Sequence, residues 1–275
     1  MDPTMRCPIC GSRREAVFTT KVLTRYDAEF HFCHHCGYLG AADPHWLAEA
    51  YSDAIATMDT GLVTRNAALA RRCIPIVYSL LGPDRASARC LDFAGGSGLF
   101  TRLMRDAGFD YYWTDKYSDN LFARGFEFDV NTGQHELVSA FEVLEHAADP
   151  LELVREALTK TSASVFLFTT ELFDGSPPGP REWWYYAFET GQHISFFQRR
   201  TLETMGSKLG LHFSSLRGLH LFSRQPISVR QRMAATPIRR LLIPWVRRQL
   251  DSRTFSDFES IRAQLQNGTE EASEG

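Results

Sequence analysis

The stretch "RCLDFAGGSGLF", residues 89–100, decides the fold. Its apolar first half predicts a buried strand, the glycines at residues 95–98 predict a tight turn, and the residues after Gly98 predict a helix. A glycine-rich turn between a strand and a helix exposes backbone amides and a helix N-terminus to a ligand. The stretch therefore predicts a loop that holds a nucleotide-type cofactor.

Strand and helix patterns alternate along the chain after this loop begins. The strand patterns are "RCLDFA", "YYWTD", "GFEFDV", "ELVSAFEV" and "SASVFLFTT", and the helix patterns are "GLFTRLMRDAG", "DPLELVREALTK" and "RRTLETMGSKLGL". Alternation at these lengths predicts a doubly wound, Rossmann-like α/β sheet with helices on both faces. The final pattern, "HFSSLRGLHLFSR", predicts an antiparallel hairpin at the edge of the sheet.

Two CxxC pairs lie near the N-terminus, and each is followed by a glycine. They are Cys7/Cys10 and Cys33/Cys36. Pairs at this spacing, with no signal-peptide pattern before them, favour a metal site over disulfides. Four thiolates saturate a tetrahedral Zn²⁺, so we predict a structural zinc, and we expect the neighbouring His34 and His35 to be surface residues. Residues 1–45 are therefore predicted to form a zinc ribbon.

The rest of the chain divides into three predicted segments. Residues 46–88 form a helical linker or cofactor lid, and residues 89–225 form the cofactor-binding domain. Residues 226–275 form an arginine-rich helical extension that ends in "NGTEEASEG", a disordered acidic tail. Seven arginines and no acid lie between Arg224 and Leu250. This segment is interpreted as an anion-binding lid, an interfacial helix on a membrane or lipid-linked substrate, or a solvated extension or oligomer contact.

Composition narrows the class of protein. The 275 residues carry a net charge of −3, which argues against a surface that binds nucleic acid throughout. We see neither an apolar run long enough to cross a bilayer nor a leader pattern, so we expect a soluble, cytoplasmic protein. The sequence leaves the oligomeric state open.

The glycine loop does not fit a dinucleotide. A GxGxxG fingerprint needs glycine at both ends, whereas the register from Gly96 ends at Thr101. Asp92, inside the first strand, suits a ligand with a cationic end, and Asp115, at the end of the second strand, can accept hydrogen bonds from two ribose hydroxyls. These acids point to S-adenosylmethionine.

"LDFAGGSG" resembles the first motif of class I methyltransferases, usually written LDxGxGxG, and "FEVLEHAADP" is similar to the fourth-strand motif of their small-molecule branch. The resemblance covers residues 89–225. It implies that three glycines cradle the methionine part, that Asp115 holds the ribose, that Asp129 lies near the adenine amino group, and that the end of the fourth strand borders the cofactor. The implied cofactor residues are Asp92, Ala94, Gly95, Gly96, Gly98, Asp115, Asp129, Phe141 and Glu142.

Ala94 replaces the first glycine of that motif. A methyl group there costs little at negative φ and roughly 1 kcal/mol or more at positive φ. We expect it to be tolerated.

A long segment rich in proline, glycine and aromatic residues follows the last parallel strand, at residues 171–197. Long loops in compact domains are usually functional, so the methyl acceptor is expected there. His193 is the candidate general base, because imidazole titrates near neutral pH; the alternative is a hydrogen bond to loop backbone. The four aromatics Trp183 to Tyr186 line a pocket or form a hydrophobic lid, and Tyr186 is a further catalytic candidate.

Glu145 and His146 are interpreted either as catalytic residues or as a structural carboxylate–imidazole pair. The zinc module and "QHISFF" together resemble the nucleotide-deoxysugar C-methyltransferases, whose motif reads more like EHxSYF. That resemblance implies proton transfer by a Glu–His pair near a tyrosine. Gln192 stands at the glutamate position, so His193 alone is retained.

The sequence thus predicts a methyltransferase that acts on a small metabolite or saccharide, including a nucleotide- or lipid-linked sugar. One alternative is an RNA methyltransferase that grips nucleic acid with its ribbon and arginines. Against it stand the acidic net charge and the lack of an NPPY-like motif after the fourth strand. A second alternative is a binding or scaffold protein on the same fold without catalysis.

Overall fold

The computed structural model describes residues 6–51, 60–236 and 241–271. The strands are β1 (Glu15–Val22), β2 (Tyr26–Phe32), β3 (Leu39–Ala41), β4 (Arg89–Phe93), β5 (Asp110–Thr114), β6 (Leu137–Phe141), β7 (Val165–Thr169), β8 (Ser195–Phe196), β9 (His212–Leu216) and β10 (Leu219–Ser223). The α-helices are α1 (Leu47–Ala50), α2 (Leu62–Leu80), α3 (Leu99–Asp106), α4 (Pro150–Thr161), α5 (Arg199–Leu209), α6 (Val229–Met233), α7 (Ile243–Gln249) and α8 (Thr254–Glu271).

The central sheet has six strands in the order β5-β4-β6-β7-β10-β9. The first four of these run parallel, and β10 pairs antiparallel with both β7 and β9. This arrangement confirms the predicted doubly wound sheet with its edge hairpin. Parallel strands align their carboxyl ends at one edge, where such sheets bind ligands.

One predicted strand is not formed. Within "GFEFDV", the chain makes a single parallel bridge, between Glu127 and Trp113. The side chain of Asp129 then accepts a hydrogen bond from the amide of Asn131 and starts a 3-10 turn at Val130–Thr132. A capping aspartate of this kind diverts the backbone from a ladder, so the pairing ends after one bridge.

Helices cover both faces of the central sheet, as predicted. On one face, α2 and α3 bury Ile74, Phe100 and Met104 in a core that also takes Val246 of α7. On the other face, α4 and α5 bury a second set of apolar side chains against β6, β7 and β10. Cys73 of α2 is a buried residue of the first core.

The N-terminal ribbon shares its sheet with the long aromatic segment that follows β7. Its four strands are ordered β1-β2-β3-β8, so the last strand comes from the long aromatic segment. Leu39 pairs with Phe196 and Gly40 pairs with Ser195. The Tyr38 hydroxyl lies 2.7 Å from Ser195 Oγ, and the Ala41 amide donates to the Ile194 carbonyl at 2.9 Å.

The C-terminal extension packs on α2. The Trp245 ring lies 5.2 Å from the Tyr78 ring, and Val246 and Leu250 are buried. Leu241 is 79% exposed. A lid, an interfacial helix and an oligomer contact all remain predictions for this segment, and residues 237–240 lie outside the described part.

The predicted disordered tail is helical in its first part. The backbone of α8 continues to Glu271, five residues into "NGTEEASEG", and residues 272–275 lie outside the described part. Among the residues described, no helix is both long and apolar enough to span a bilayer.

A buried ion pair anchors α8 to α3. Arg105 Nε and Nη2 donate to the two carboxylate oxygens of Asp257 at 2.8 and 2.7 Å, and both residues are under 5% exposed. Arg102 Nη1 lies 2.9 Å from the same carboxylate. Burial raises the pKa of the Asp257 carboxyl, but the hydrogen bonds and charge of Arg105 outweigh it, so the pKa is lowered. Two parallel N–H···O bonds fix the relative position of the two helices.

Candidate active site

The glycine loop joins β4 to α3 at the carboxyl edge of the central sheet. A Cβ on Gly96 would meet no atom within 4 Å, so its backbone faces open space. A Cβ on Gly95 would lie 2.6 Å from Asp92 Oδ2, and one on Gly98 would lie 2.7 Å from Asn120 Oδ1. Gly95 and Gly98 are thus required by packing, whereas Gly96 opens towards a ligand.

Asp92 lies beneath this loop. It is 2% exposed and accepts hydrogen bonds from Thr101 Oγ1 at 3.0 Å and Ser139 Oγ at 3.2 Å. Burial raises the pKa of its carboxyl to about 7. A nearby positive charge would favour the ionised form, which is the property expected of a group beside a sulfonium.

Asp115 links the loop to the end of β5. Its Oδ2 accepts from the Gly96 amide at 2.9 Å, and its Oδ1 accepts from the amides of Tyr117 and Ser118 at 2.7 and 2.9 Å. A carboxylate has about four acceptor positions, so room remains for one further donor such as a ribose hydroxyl. Asp115 therefore caps a turn and also faces the loop.

The backbone at Ala94 differs from expectation. Its φ is 54°, in the left-handed region that favours glycine. The expectation of ready tolerance is thus corrected, because the Cβ of an L-residue crowds the carbonyl oxygen in this conformation. Glu142, after β6, has φ of 53°. Non-glycine residues in this region cluster at functional sites, and these two follow neighbouring strands.

Replacing Ala94 by glycine is expected to raise the free energy of unfolding by about 0.5 to 1 kcal/mol, since relief of strain exceeds the added chain entropy of glycine. Urea or thermal unfolding measures the change. Ala148→Gly is the control, because Ala148 is not among the residues with positive φ and should lose stability. A loss of stability in Ala94→Gly would contradict the assigned backbone conformation.

The other predicted cofactor residues lie at the same edge of the sheet but differ in their contacts. The Phe141 ring packs 4.8 Å from Phe100, next to the loop. Asp129 is exposed, and its carboxylate accepts from both the backbone and side-chain amides of Asn131. The adenine contact of Asp129 remains a prediction.

Four of the predicted residues, together with Tyr185, form what we call the acid–imidazole cluster: Glu142, Glu145, His146, Tyr185 and His193. The Tyr185 hydroxyl lies 2.6 Å from Glu145 Oε1 and 3.0 Å from Glu142 Oε2. The rings of His146 and His193 are 4.8 Å apart. The amide of Ile194 donates to the Glu145 carbonyl at 2.8 Å, which ties the aromatic segment to the end of β6.

Both histidines of the cluster present an imidazole that is neutral near pH 7. His193 Nδ1 lies 2.7 Å from the Tyr185 carbonyl, which can only accept, so Nδ1 carries the proton and Nε2 keeps a lone pair. His146 Nδ1 lies 2.8 Å from the Tyr51 hydroxyl. Burial lowers the pKa of His193, and burial with the neighbouring His193 lowers the pKa of His146 to about 3.

Glu145 is fully buried and shares the tyrosine hydroxyl with a second carboxylate. Burial and the charge of Glu142 together raise the pKa of its carboxyl. Its Oε2 has no hydrogen-bond partner among the described residues.

Tyr186, a predicted catalytic residue, points away from this cluster. Its hydroxyl donates to the Pro178 carbonyl at 2.7 Å, and its ring stacks on Phe188 in the ribbon core. Tyr185, not Tyr186, lies beside Glu142 and Glu145. Nothing in the sequence of four adjacent aromatic residues distinguishes the two tyrosines. Gln192 donates to the Ala50 carbonyl at 2.8 Å rather than pairing with His193.

The four N-terminal cysteines converge at one point. Cys7 Sγ lies 3.5 Å from Cys36 Sγ, Cys10 Sγ lies 3.5 Å from Cys33 Sγ, and all four sulfurs lie within 4.8 Å of one another. Zn–S bonds of about 2.3 Å give tetrahedral edges of about 3.8 Å, so the spacing fits zinc. His34 and His35 are both exposed, as expected.

The profile of a protein family described as "Methyltransferase domain" matches residues 65–216. The chain belongs to the methyltransferase domain family. This match covers the glycine loop, the acid–imidazole cluster and the central sheet up to β9. It confirms the predicted methyltransferase at the level of the family. No curated protein sequence matches this methyltransferase significantly.

Solved structures with a similar fold include the small RNA methyltransferase HEN1 (15% identity, TM-score 0.37), the mitomycin 7-O-methyltransferase MmcR (13%, 0.43) and an O-methyltransferase family 2 protein from Planctomyces limnophilus DSM 3776 in complex with apigenin (16%, 0.40). The matches cover 56%, 64% and 64% of this methyltransferase and 25%, 59% and 66% of those chains. This methyltransferase therefore spans less than two thirds of the length of each of these three chains. None of these likenesses identifies its acceptor.

Proposed function

We propose that this methyltransferase transfers the methyl group of S-adenosylmethionine to a small metabolite or saccharide. The glycine loop is the observation that supports S-adenosylmethionine as the methyl donor. Gly96 faces open space, Asp115 Oδ2 accepts a hydrogen bond from its amide at 2.9 Å, and the buried Asp92 lies beneath the loop. Backbone without side chains lets a nucleoside approach closely, and the two acids suit a ribose and a sulfonium.

The acid–imidazole cluster is our candidate for the acceptor side. Ala94 follows β4 and Glu142 follows β6, and these parallel strands are neighbours, with Asp92 beside Ser139. The donor loop and the cluster therefore lie at the same edge of the sheet. Methyl transfer needs in-line approach of the acceptor, and a hydroxyl acceptor must also lose its proton. The cluster supplies an unprotonated nitrogen, His193 Nε2, and two carboxylates for that purpose.

We further propose that the four cysteines bind a structural zinc. Their sulfurs leave no coordination position for water, so this metal would stabilise the ribbon and take no part in the reaction.

Gly96→Ala is expected to weaken binding of S-adenosylhomocysteine at least tenfold, because the new methyl group occupies the face that the ligand approaches. The control is Gly210→Ala at the end of α5. Gly210 has φ of 67°, against 54° for Gly96, and a Cβ there also meets nothing within 4 Å. Both variants therefore carry similar backbone strain, and only Gly96→Ala should lose affinity. Calorimetry measures binding, and thermal unfolding measures the shared loss of stability.

Two outcomes would contradict the proposal. Wild-type protein that fails to bind S-adenosylhomocysteine at high micromolar concentration would exclude the donor. Equal affinity in Gly96→Ala and Gly210→Ala would place the donor away from this loop.

A further inference from the structure

We infer that Glu145, His146 and His193 form a binding site for a divalent cation, which rests on the proposed function and places a metal ion at its acceptor side. Each side chain offers one ligand atom, and these three atoms lie within 4.8 Å of one another. Two imidazoles and one carboxylate form a ligand set that binds first-row divalent metals and leaves coordination positions open.

The second heteroatom of each candidate ligand is already held. His193 Nδ1 donates to the Tyr185 carbonyl at 2.7 Å, and His146 Nδ1 lies 2.8 Å from the Tyr51 hydroxyl. Glu145 Oε1 accepts from the Tyr185 hydroxyl at 2.6 Å. Ligands of protein-bound metals are oriented in this way by hydrogen bonds from the atom that does not bind the metal. The arrangement leaves Nε2 of each imidazole and Oε2 of the glutamate for a cation.

The charge balance of the cluster also calls for a cation. Glu145 is 0% exposed, and its Oε2 has no hydrogen-bond partner within the described residues. A buried carboxylate oxygen without a partner is costly and rare. Glu142 brings a second carboxylate to the same tyrosine hydroxyl, which has only one proton to donate. A divalent ion would neutralise both acids and use the unpartnered oxygen.

Such an ion would favour an oxygen acceptor. A metal-bound hydroxyl loses its proton near neutral pH, so the acceptor would be an alcohol or phenol. Its proton would leave to solvent by way of the exposed carboxylate of Glu142. The resulting oxygen would attack the methyl carbon and the carbon–sulfur bond would break, which would give a methyl ether and S-adenosylhomocysteine. With the ion bound, His193 Nε2 would serve as a ligand, and of the proton-accepting groups named above the carboxylate of Glu142 would take the acceptor's proton.

The site is tested by titrating the zinc-loaded full chain with Mn²⁺ and measuring the free Mn²⁺ by electron paramagnetic resonance. Wild type is expected to bind one Mn²⁺ per chain, and Glu145→Gln to bind at least tenfold more weakly. Glu136→Gln is the control, since Glu136 precedes β6 at its other end. His193→Asn serves as the second variant if Glu145→Gln does not fold, and it should also lose Mn²⁺.

S-adenosylhomocysteine binding is measured on the same samples. Retained binding in the variants, together with lost Mn²⁺, would support the site. Wild type that binds S-adenosylhomocysteine but no Mn²⁺, or variants that keep full Mn²⁺ affinity, would overturn the metal site and leave the donor assignment standing. Failure of the wild-type protein to bind S-adenosylhomocysteine would instead count against the proposed function.

Discussion

Cys36→Ser is expected to purify without zinc and with an unfolded ribbon. Cys36 is 1% exposed and packs in the core that α4 and α5 form with the central sheet, so damage at the metal reaches the methyltransferase domain. Thr201 Oγ1 also donates to the Cys36 carbonyl at 2.8 Å. Structural zinc sites contribute about 10 kcal/mol or more in isolated zinc fingers, which is comparable to the whole stability of a domain.

Metal content and near-ultraviolet circular dichroism measure this loss. We expect one zinc per chain in wild type and a small fraction of that in Cys36→Ser. Cys73→Ala is the matched control, because Cys73 is also buried but lies in α2 among apolar side chains. It should keep its zinc and lose about 1 kcal/mol. Full zinc and an unchanged melting temperature in Cys36→Ser would exclude the four-cysteine site.

Asp257→Asn is expected to lower the free energy of unfolding by about 3 to 5 kcal/mol, because it leaves the Arg105 guanidinium buried without its main counterion. Arg105 is 2% exposed and keeps one other carboxylate, Asp110, at 2.9 Å, which favours the lower end of that range. For a domain of this size, the melting temperature should fall by about 6 to 12 °C. Thermal and urea unfolding measure the change.

An exposed ion pair provides the comparison. Lys21 Nζ lies 2.8 Å from Asp27 Oδ2, with side chains 56% and 71% exposed. Because water screens this pair, Asp27→Asn should change stability by less than about 0.5 kcal/mol. Equal effects of Asp27→Asn and Asp257→Asn would show that α8 does not depend on its buried aspartate.

The central sheet is readable from the sequence because its strands and helices carry long periodic patterns. β8 is not, since it has two residues and pairs with a strand more than 150 positions earlier. The helical backbone of residues 267–271 was also missed, because composition alone does not reveal that α8 is anchored at Asp257.

The candidate site was predictable to the extent that its residues form local motifs. The two CxxC pairs and "EVLEH" are short local patterns. The structure brings the four cysteine side chains together at one point, and Glu145 and His146 together at another. Tyr51 and Tyr185 have no such signal, because Tyr51 follows a short helix and Tyr185 belongs to an irregular segment. The conformation of Ala94 depends on the loop that it enters, so its φ could not be read from residue type.

The pairing of β3 with β8 also bears on the order in which the chain folds during synthesis. The four cysteines and β3 leave the ribosome long before Ser195 and Phe196, so β3 is an unpaired sheet edge until β8 has been synthesised. Unpaired edges recruit other strands, and pairings distant in sequence form slowly. A nascent chain that ends before β8 would therefore be the species most prone to aggregate.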